Sequence, residues 1–231
     1  MSFVNNTSAT PGHLPASSIP SVIMDHYRHS LRADGDPDEA VQATVIRKYD
    51  TPLSPAGIAR IYETEVVPTQ YIWCSPLWRC IETAVEIQKR NGGVIIIDAG
   101  LGEVMHPKVL KCDLKEFSVQ DDTEVRKLTE LFIRLDTPFP EEETRGIDGS
   151  ADERYRASLV RIGEWCLKRK VPRITIVSHG DSLGSLAAMC KKELYAIEEF
   201  GRITAVYNSG FAGHVGKWTY ISSNNALVMD I

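Results

Sequence analysis

Arg28, His29 and Arg32 stand directly after an apolar run, "IPSVIM". Arginine keeps its charge inside a protein, so a pair closing a buried segment calls for an anion beside it. Three more apolar runs end in the same way. Arg79 comes shortly after "QYIWC", Glu103 after "VIIID", and His179-Gly180 directly after "RITIVS". Guanidinium forks match the oxygens of a phosphoryl group. Neutral imidazole is a nucleophile near neutral pH, and a carboxylic acid can protonate a leaving oxygen. The set as a whole suits phosphoryl transfer, in which catalysis is mostly positioning and electrostatic stabilisation. Taken singly, each residue has a plainer reading: a strand-end histidine, a solvated helix arginine, a loop glutamate.

Other chemistries lack their signatures. There is no Walker-type glycine loop, no HExxH and no metal-type cysteine–histidine spacing. His26 and His29 are three apart and, on an extended strand, face opposite sides. No cofactor and no metal is implied.

Bringing the set together requires strands that end at a common edge. The chain alternates strand-like and helix-like runs from Ser21 onward. "SVIMDHY", "QYIWC", "VIIID" and "PRITIVSHG" read as buried strands. "SPAGIARIYETEV" reads as a helix from near Ser54 with Pro55 in its first turn. "SPLWRCIETAVEIQKR" reads as a second helix, with Ser75 as cap and Pro76 as first residue. "ADERYRASLVRIGEWCLKRK" and "DSLGSLAAMCKKEL" read as further helices, and "ITAVYNSGFAGHVGKWTYISS" as short strands with a hairpin. The pattern predicts an α/β fold: a mainly parallel central sheet with helices on both faces. Ligands of such sheets bind at the carboxyl ends of the strands, which is where the candidates fall. Amides opening the helix at Gly180 would add anion donors.

Residues from about 103 to 149 are less regular and read as a helical and loop insertion over the sheet. Within it, "DTEVRKLTELFIRL" reads as a helix and Glu141-Glu142-Glu143 as a solvated acidic loop. His106 is either a pocket residue or a plain loop histidine. Tyr71, Trp73 and Trp78 read as packing. "ELYAIEEFGRI" has no chemistry of its own and reads as a segment that packs on or caps the site.

The formal net charge of -5 argues against nucleic acid or an anionic membrane as a partner. Five cysteines without metal spacing read as reduced thiols, which places the chain in the cytoplasm. Residues 1–20, rich in Ser, Thr, Asn and Pro, read as a flexible segment without signal-peptide character. Residues 21–231 read as a single catalytic domain.

The motifs resemble, in order, those of the histidine phosphatases, also called the phosphoglycerate mutase-like superfamily. Arg28-His29-Ser30 matches its Arg-His-Gly, and "TPLSPAG" its helix start. "CSPLWRCIETA" matches the arginine-bearing helix, Leu101-Gly102-Glu103 the Leu-x-Glu, and "VSHG" the strand ending in His-Gly. Ser30 departs from the family glycine. The resemblance implies that His29 attacks phosphorus and carries a phosphohistidine. It implies that Arg28, Arg79 and His179 hold the phosphate, with Arg32, Ser30 and Gly180 as further substrate contacts. Glu103 then protonates the leaving oxygen. As an acid Glu103 needs a pKa raised by burial against the lowering effect of nearby arginines.

Within the family, "CSPLWRC", "GLGE" and the Arg28-His29-x-x-Arg32 spacing are most similar to the ecdysteroid-phosphate phosphatases. The same subgroup includes the carboxy-terminal phosphatase domains of the suppressor-of-T-cell-receptor-signalling proteins, which these motifs also resemble. That implies a phosphomonoesterase acting on a phosphorylated small molecule or a phosphoprotein, with a homodimer as a candidate assembly. The alternatives are a cofactor-dependent phosphoglycerate mutase and a phosphate-binding pseudoenzyme.

Overall fold

In the computed structural model, residues 20–47, 49–146, 149–209 and 216–230 are described. The expected flexible segment thus lies outside the described residues, except for Pro20. Strand β1 (Ser21–Arg28) is followed by helices α1 (Glu39–Gln42) and α2 (Pro55–Glu63), then β2 (Tyr71–Cys74), α3 (Trp78–Asn91) and β3 (Val94–Ile97). Short helices α4 (Pro107–Leu110) and α5 (Asp122–Arg126) and strand β4 (Phe132–Arg134) come next. The chain then runs through α6 (Ser150–Arg169), β5 (Arg173–Ser178), α7 (Gly180–Met189), β6 (Lys192–Asn208) and β7 (Lys217–Asp230).

The strands form one seven-stranded sheet in the order β4-β3-β2-β5-β1-β6-β7. The first five are mutually parallel, and β6 and β7 add antiparallel edges. Alternation along the strands sorts the core into two layers. Met24, Trp73, Ile96 and Ile176 pack on one face under Leu159 and Ile162 of α6 and Leu183 of α7. Tyr27, Ile72, Ile95 and Val177 pack on the other under Ile61 of α2 and Ile81 and Val85 of α3. This is the expected α/β architecture with helices on both faces. No helix among the described residues is long and apolar enough to cross a membrane.

Three local expectations need correction. The helix expected over "DTEVRKLTELFIRL" stops at Arg126, and Phe132–Arg134 becomes β4, pairing Ile95 with Phe132 and Ile97 with Arg134. The exposed backbone of β3 takes the apolar "FIR" as its edge partner, so part of the insertion widens the sheet. Helix α3 begins at Trp78 rather than Pro76, because the Ser75 N–H is still tied to the Val177 carbonyl of β5 (3.0 Å). Its cap comes from a distance: Asp50 Oδ1 accepts the Trp78 N–H at 2.5 Å. The expected helix over "DSLGSLAAMCKKEL" ends at Met189, and Lys192 already belongs to β6. Helix α2 does start as predicted, capped by Ser54 with Pro55 in its first turn.

Candidate active site

The carboxyl ends of β3, β2, β5 and β1 lie side by side, so the topology delivers the candidate residues to one edge. β1 and β5 are immediate neighbours, with Arg28 opposite Ser178. His29 and His179 therefore sit next to each other, ring centroids 5.5 Å apart and edge to face. Glu103 comes down from the loop after β3, and Arg79 rises from the first turn of α3.

His29 is 3% exposed. Its Nδ1 lies 2.8 Å from its neighbour's carbonyl, that of Ser30, which can only accept. Nδ1 therefore carries the proton, and Nε2 is left with its lone pair. Burial, then Arg79, His179 and Arg28, hold the His29 pKa well below the ordinary histidine value of 6.5. The ring is thus neutral throughout the neutral range.

Arg79, 2% exposed, is the hub. It donates to the Tyr49 carbonyl (3.1 Å) and to Glu103 Oε2 (3.3 Å). Its Nη2 lies 3.4 Å from His179 Nδ1, while its buried Nε has no partner. His179 Nδ1 is 3.2 Å from Glu103 Oε2, and its Nε2 is 2.9 Å from Ser75 Oγ. Ser75, expected as a helix cap, thus orients a site histidine instead. Burial raises the Glu103 pKa, but His179, Arg79 and the Val104 N–H outweigh it and hold the carboxyl well below its ordinary range. The contest left open by the sequence falls to the lowering side in the free pocket.

Each remaining arginine has an acid of its own chain beside it. Arg28 donates to the Ile197 carbonyl (2.8 Å) and lies 3.5 Å from Glu199. Arg32 meets both oxygens of Asp34 (2.9 and 3.0 Å). These contacts hold the guanidinium groups in place, yet a guanidinium has five N–H donors and neither set uses them all. A cavity of about 250 Å³ opens over His29, walled by Arg28, Arg32, Glu103, Gly180 and Glu199. Gly180 opens α7, whose start has no side-chain cap, so its first amides are suited to an anion.

Ser30 is the exception. Its hydroxyl donates to the Gly57 carbonyl (2.7 Å) and its N–H to Thr83 Oγ1 (3.1 Å), so both donors are committed away from the cavity. A substrate contact through the Ser30 hydroxyl would require it to leave the Gly57 carbonyl. Nor does Ser30 take the positive φ that would favour glycine. The close approach is made by Gly57 instead, where a Cβ would collide with the Leu31 carbonyl. Ser30→Gly is therefore expected to lower stability by about 1 kcal/mol through the lost hydrogen bond, with no gain in turnover. Thermal melts beside steady-state rates check both halves.

Several positioning groups were not legible in the sequence. Arg154, inside the α6 pattern, donates to the carbonyls of Gly100 (2.9 Å), Gly102 (3.0 Å) and Glu103 (3.2 Å) and so fixes the loop that carries Glu103. Glu143, read as solvated, is 3% exposed and clamps Arg154 at 2.6 and 2.7 Å. Burying that carboxylate is tolerated because the pair is bidentate. His106 accepts the Lys108 N–H (3.2 Å) and faces Glu142, a helix cap rather than a pocket wall. "ELYAIEEFGRI" forms part of β6 and supplies Ile197 and Glu199 to Arg28. His26 does not line the cavity; its Nε2 is 2.5 Å from Ser178 Oγ, and burial followed by His179 lowers its pKa to about 3.

A family model described as the histidine phosphatase superfamily (branch 1) matches residues 31–205. The chain belongs to the histidine phosphatase superfamily. The match begins two residues after His29, so the histidine itself stands just outside it. Among solved structures, a phosphoglycerate mutase from Bacillus anthracis str. Sterne is 17% identical, with a TM-score of 0.58 over 88% of this chain and 93% of that one. The ecdysone phosphate phosphatase from Bombix mori, in complex with tungstate, is 15% identical, with a TM-score of 0.57 over 87% and 92%. A mycobacterial glucosyl-3-phosphoglycerate phosphatase is 18% identical, with a TM-score of 0.53 over 90% and 100%. At these identities the likeness is one of fold. No curated protein matches the chain in sequence. Membership supports phosphoryl transfer or hydrolysis as the general activity of this histidine phosphatase fold.

Proposed function

We propose that the chain is a phosphomonoesterase working through a phosphohistidine on His29. The observation that carries this reading is the locked tautomer: Nδ1 tied to the Ser30 carbonyl and Nε2 free beneath a cavity walled by arginines. Nε2 attacks phosphorus while Arg28, Arg79, Arg32, His179 and the Gly180 amide hold the equatorial oxygens. The bond from phosphorus to the leaving oxygen breaks, and Glu103 gives that oxygen its proton. Water then attacks phosphorus as the phosphorus–Nε2 bond breaks, Glu103 takes the water's proton, and phosphate leaves with His29 neutral again. A phosphate dianion beside Glu103 opposes a second negative charge, so the acid form is favoured when substrate is present. The substrate is a phosphorylated small molecule or a phosphoprotein.

Glu103→Gln keeps a carbonyl oxygen for Arg79 and His179 but has no proton to give. In kcat/KM, which reports phosphorylation of His29 and not the later hydrolysis, we expect it to cost about 10²–10³-fold on alkyl phosphates and under about tenfold on p-nitrophenyl phosphate, whose leaving group needs no acid. Equal losses on both would remove Glu103 from the acid role. The broader test is phosphate release from a phosphotyrosine peptide, sugar phosphates and 3-phosphoglycerate. Release from none of them would sink the phosphatase reading. Isomerisation of 3-phosphoglycerate without release would make the chain a mutase, and phosphate binding without turnover a pseudoenzyme.

A further inference from the structure

A second cavity, of about 360 Å³, adjoins the first and shares Gly180 and Asp181 with it. It lies between α6, α7 and the start of β6. We propose that it receives the uncharged, apolar organic group of the phosphomonoester, an inference that rests on the reading above.

The argument is one of exclusion by partners. Each polar side chain on the wall already has a partner within the chain. Asp152 takes Arg156 (2.5 Å) and the Ser185 hydroxyl (2.6 Å). Asp181 takes Arg145 on both oxygens (3.1 Å each). Tyr155 donates to the Gly102 carbonyl (2.8 Å), Glu193 accepts from Tyr195 (2.8 Å), and Lys192 pairs with Asp230. Most of the surface that faces the space is apolar, and Val104, Ala151, Ala188 and Leu194, with glycine at 184, contribute to it. A charged or strongly hydrogen-bonding group placed there would lose water and have to compete with these existing pairs for a partner, whereas an apolar group loses nothing. The volume falls within the range of small-molecule pockets, roughly 300–1,000 Å³. The Arg145–Asp181 pair stands where the two cavities meet, so the polar end of a substrate has the arginines and its apolar end has this wall.

Gly184 offers a clean test, since a Cβ there meets no atom within 4 Å and the position does not need a positive φ. Gly184→Leu should fill the cavity without disturbing its walls, and its melting temperature should not fall below that of the parent. The expected result is a KM for 2-naphthyl phosphate raised at least about tenfold, with kcat and the kinetics on glycerol phosphate unchanged. Equal effects on both esters, or none on either, would overturn the pocket assignment. Fluorescence titration with 2-naphthol, which has no phosphate, separates this from the phosphatase reading. Binding by the parent that is lost in Gly184→Leu supports the pocket even if no ester is hydrolysed, and no binding by the parent overturns it even if esters are.

Discussion

His29→Ala is expected to lower kcat on any phosphomonoester by about 10⁴-fold or more, because the neighbouring imidazole, His179, has both nitrogens engaged by Ser75 and Glu103. The parent, quenched in alkali or denaturant during turnover of labelled substrate, should retain an acid-labile phosphoryl group that the variant lacks. The pH profile carries a second signature. A nucleophilic His29 must be neutral, and its pKa is held well below 6.5, so acid should not silence it until far below the usual histidine range. Glu103 must be protonated to act as an acid, and its pKa is low in the free pocket. The low His29 pKa permits activity in acid and the Glu103 condition requires it, so kcat/KM should peak on the acid side of pH 6.5. An optimum above pH 7 would contradict the charge arrangement, and equal activity of His29→Ala and the parent would remove the mechanism altogether.

Arg79 carries the second large effect. It touches Tyr49, Glu103 and His179 at once and is 2% exposed, so no other cation can take its place by a change of rotamer. Arg79→Ala should lower kcat/KM on the order of 10²–10³-fold, the usual cost of removing a preorganised donor aimed at transition-state charge. Arg79→Lys should recover only a small part, since a lysine cannot span the Tyr49 carbonyl and Glu103 with a planar fork. The sign of the accompanying pH change follows from Glu103. With the guanidinium gone, burial acts against one cation fewer and the carboxyl pKa rises. The descending limb of kcat/KM should then move to higher pH in Arg79→Ala, measured across a full pH series. A limb that stays in place would mean that Arg79 holds phosphate without tuning the acid.

The sequence by itself pointed to phosphoryl-transfer chemistry and to the residues that the fold brings to one sheet edge. Apolar runs ending in Arg28-His29, in His179-Gly180 and near Arg79 and Glu103 are local signals, and strand ends in an open α/β sheet are where ligands bind. The two-layer core was equally legible, because strand alternation and helix periodicity depend on neighbours in sequence. Tertiary structure decided what depends on distant partners. Only the fold shows that Ser30 spends its hydroxyl on Gly57, that Ser75 orients His179 rather than capping α3, and that Asp50 caps α3 instead. Phe132–Arg134 looked helical until the open edge of β3 claimed it as a strand. Glu143 looked like a surface charge until Arg154, eleven residues on, closed on it and fixed the Glu103 loop. Protonation was beyond the sequence for the same reason. Whether Glu103 is acid or carboxylate turns on which of burial and nearby cations prevails, and that is set by distances of three to four ångströms across four strand ends.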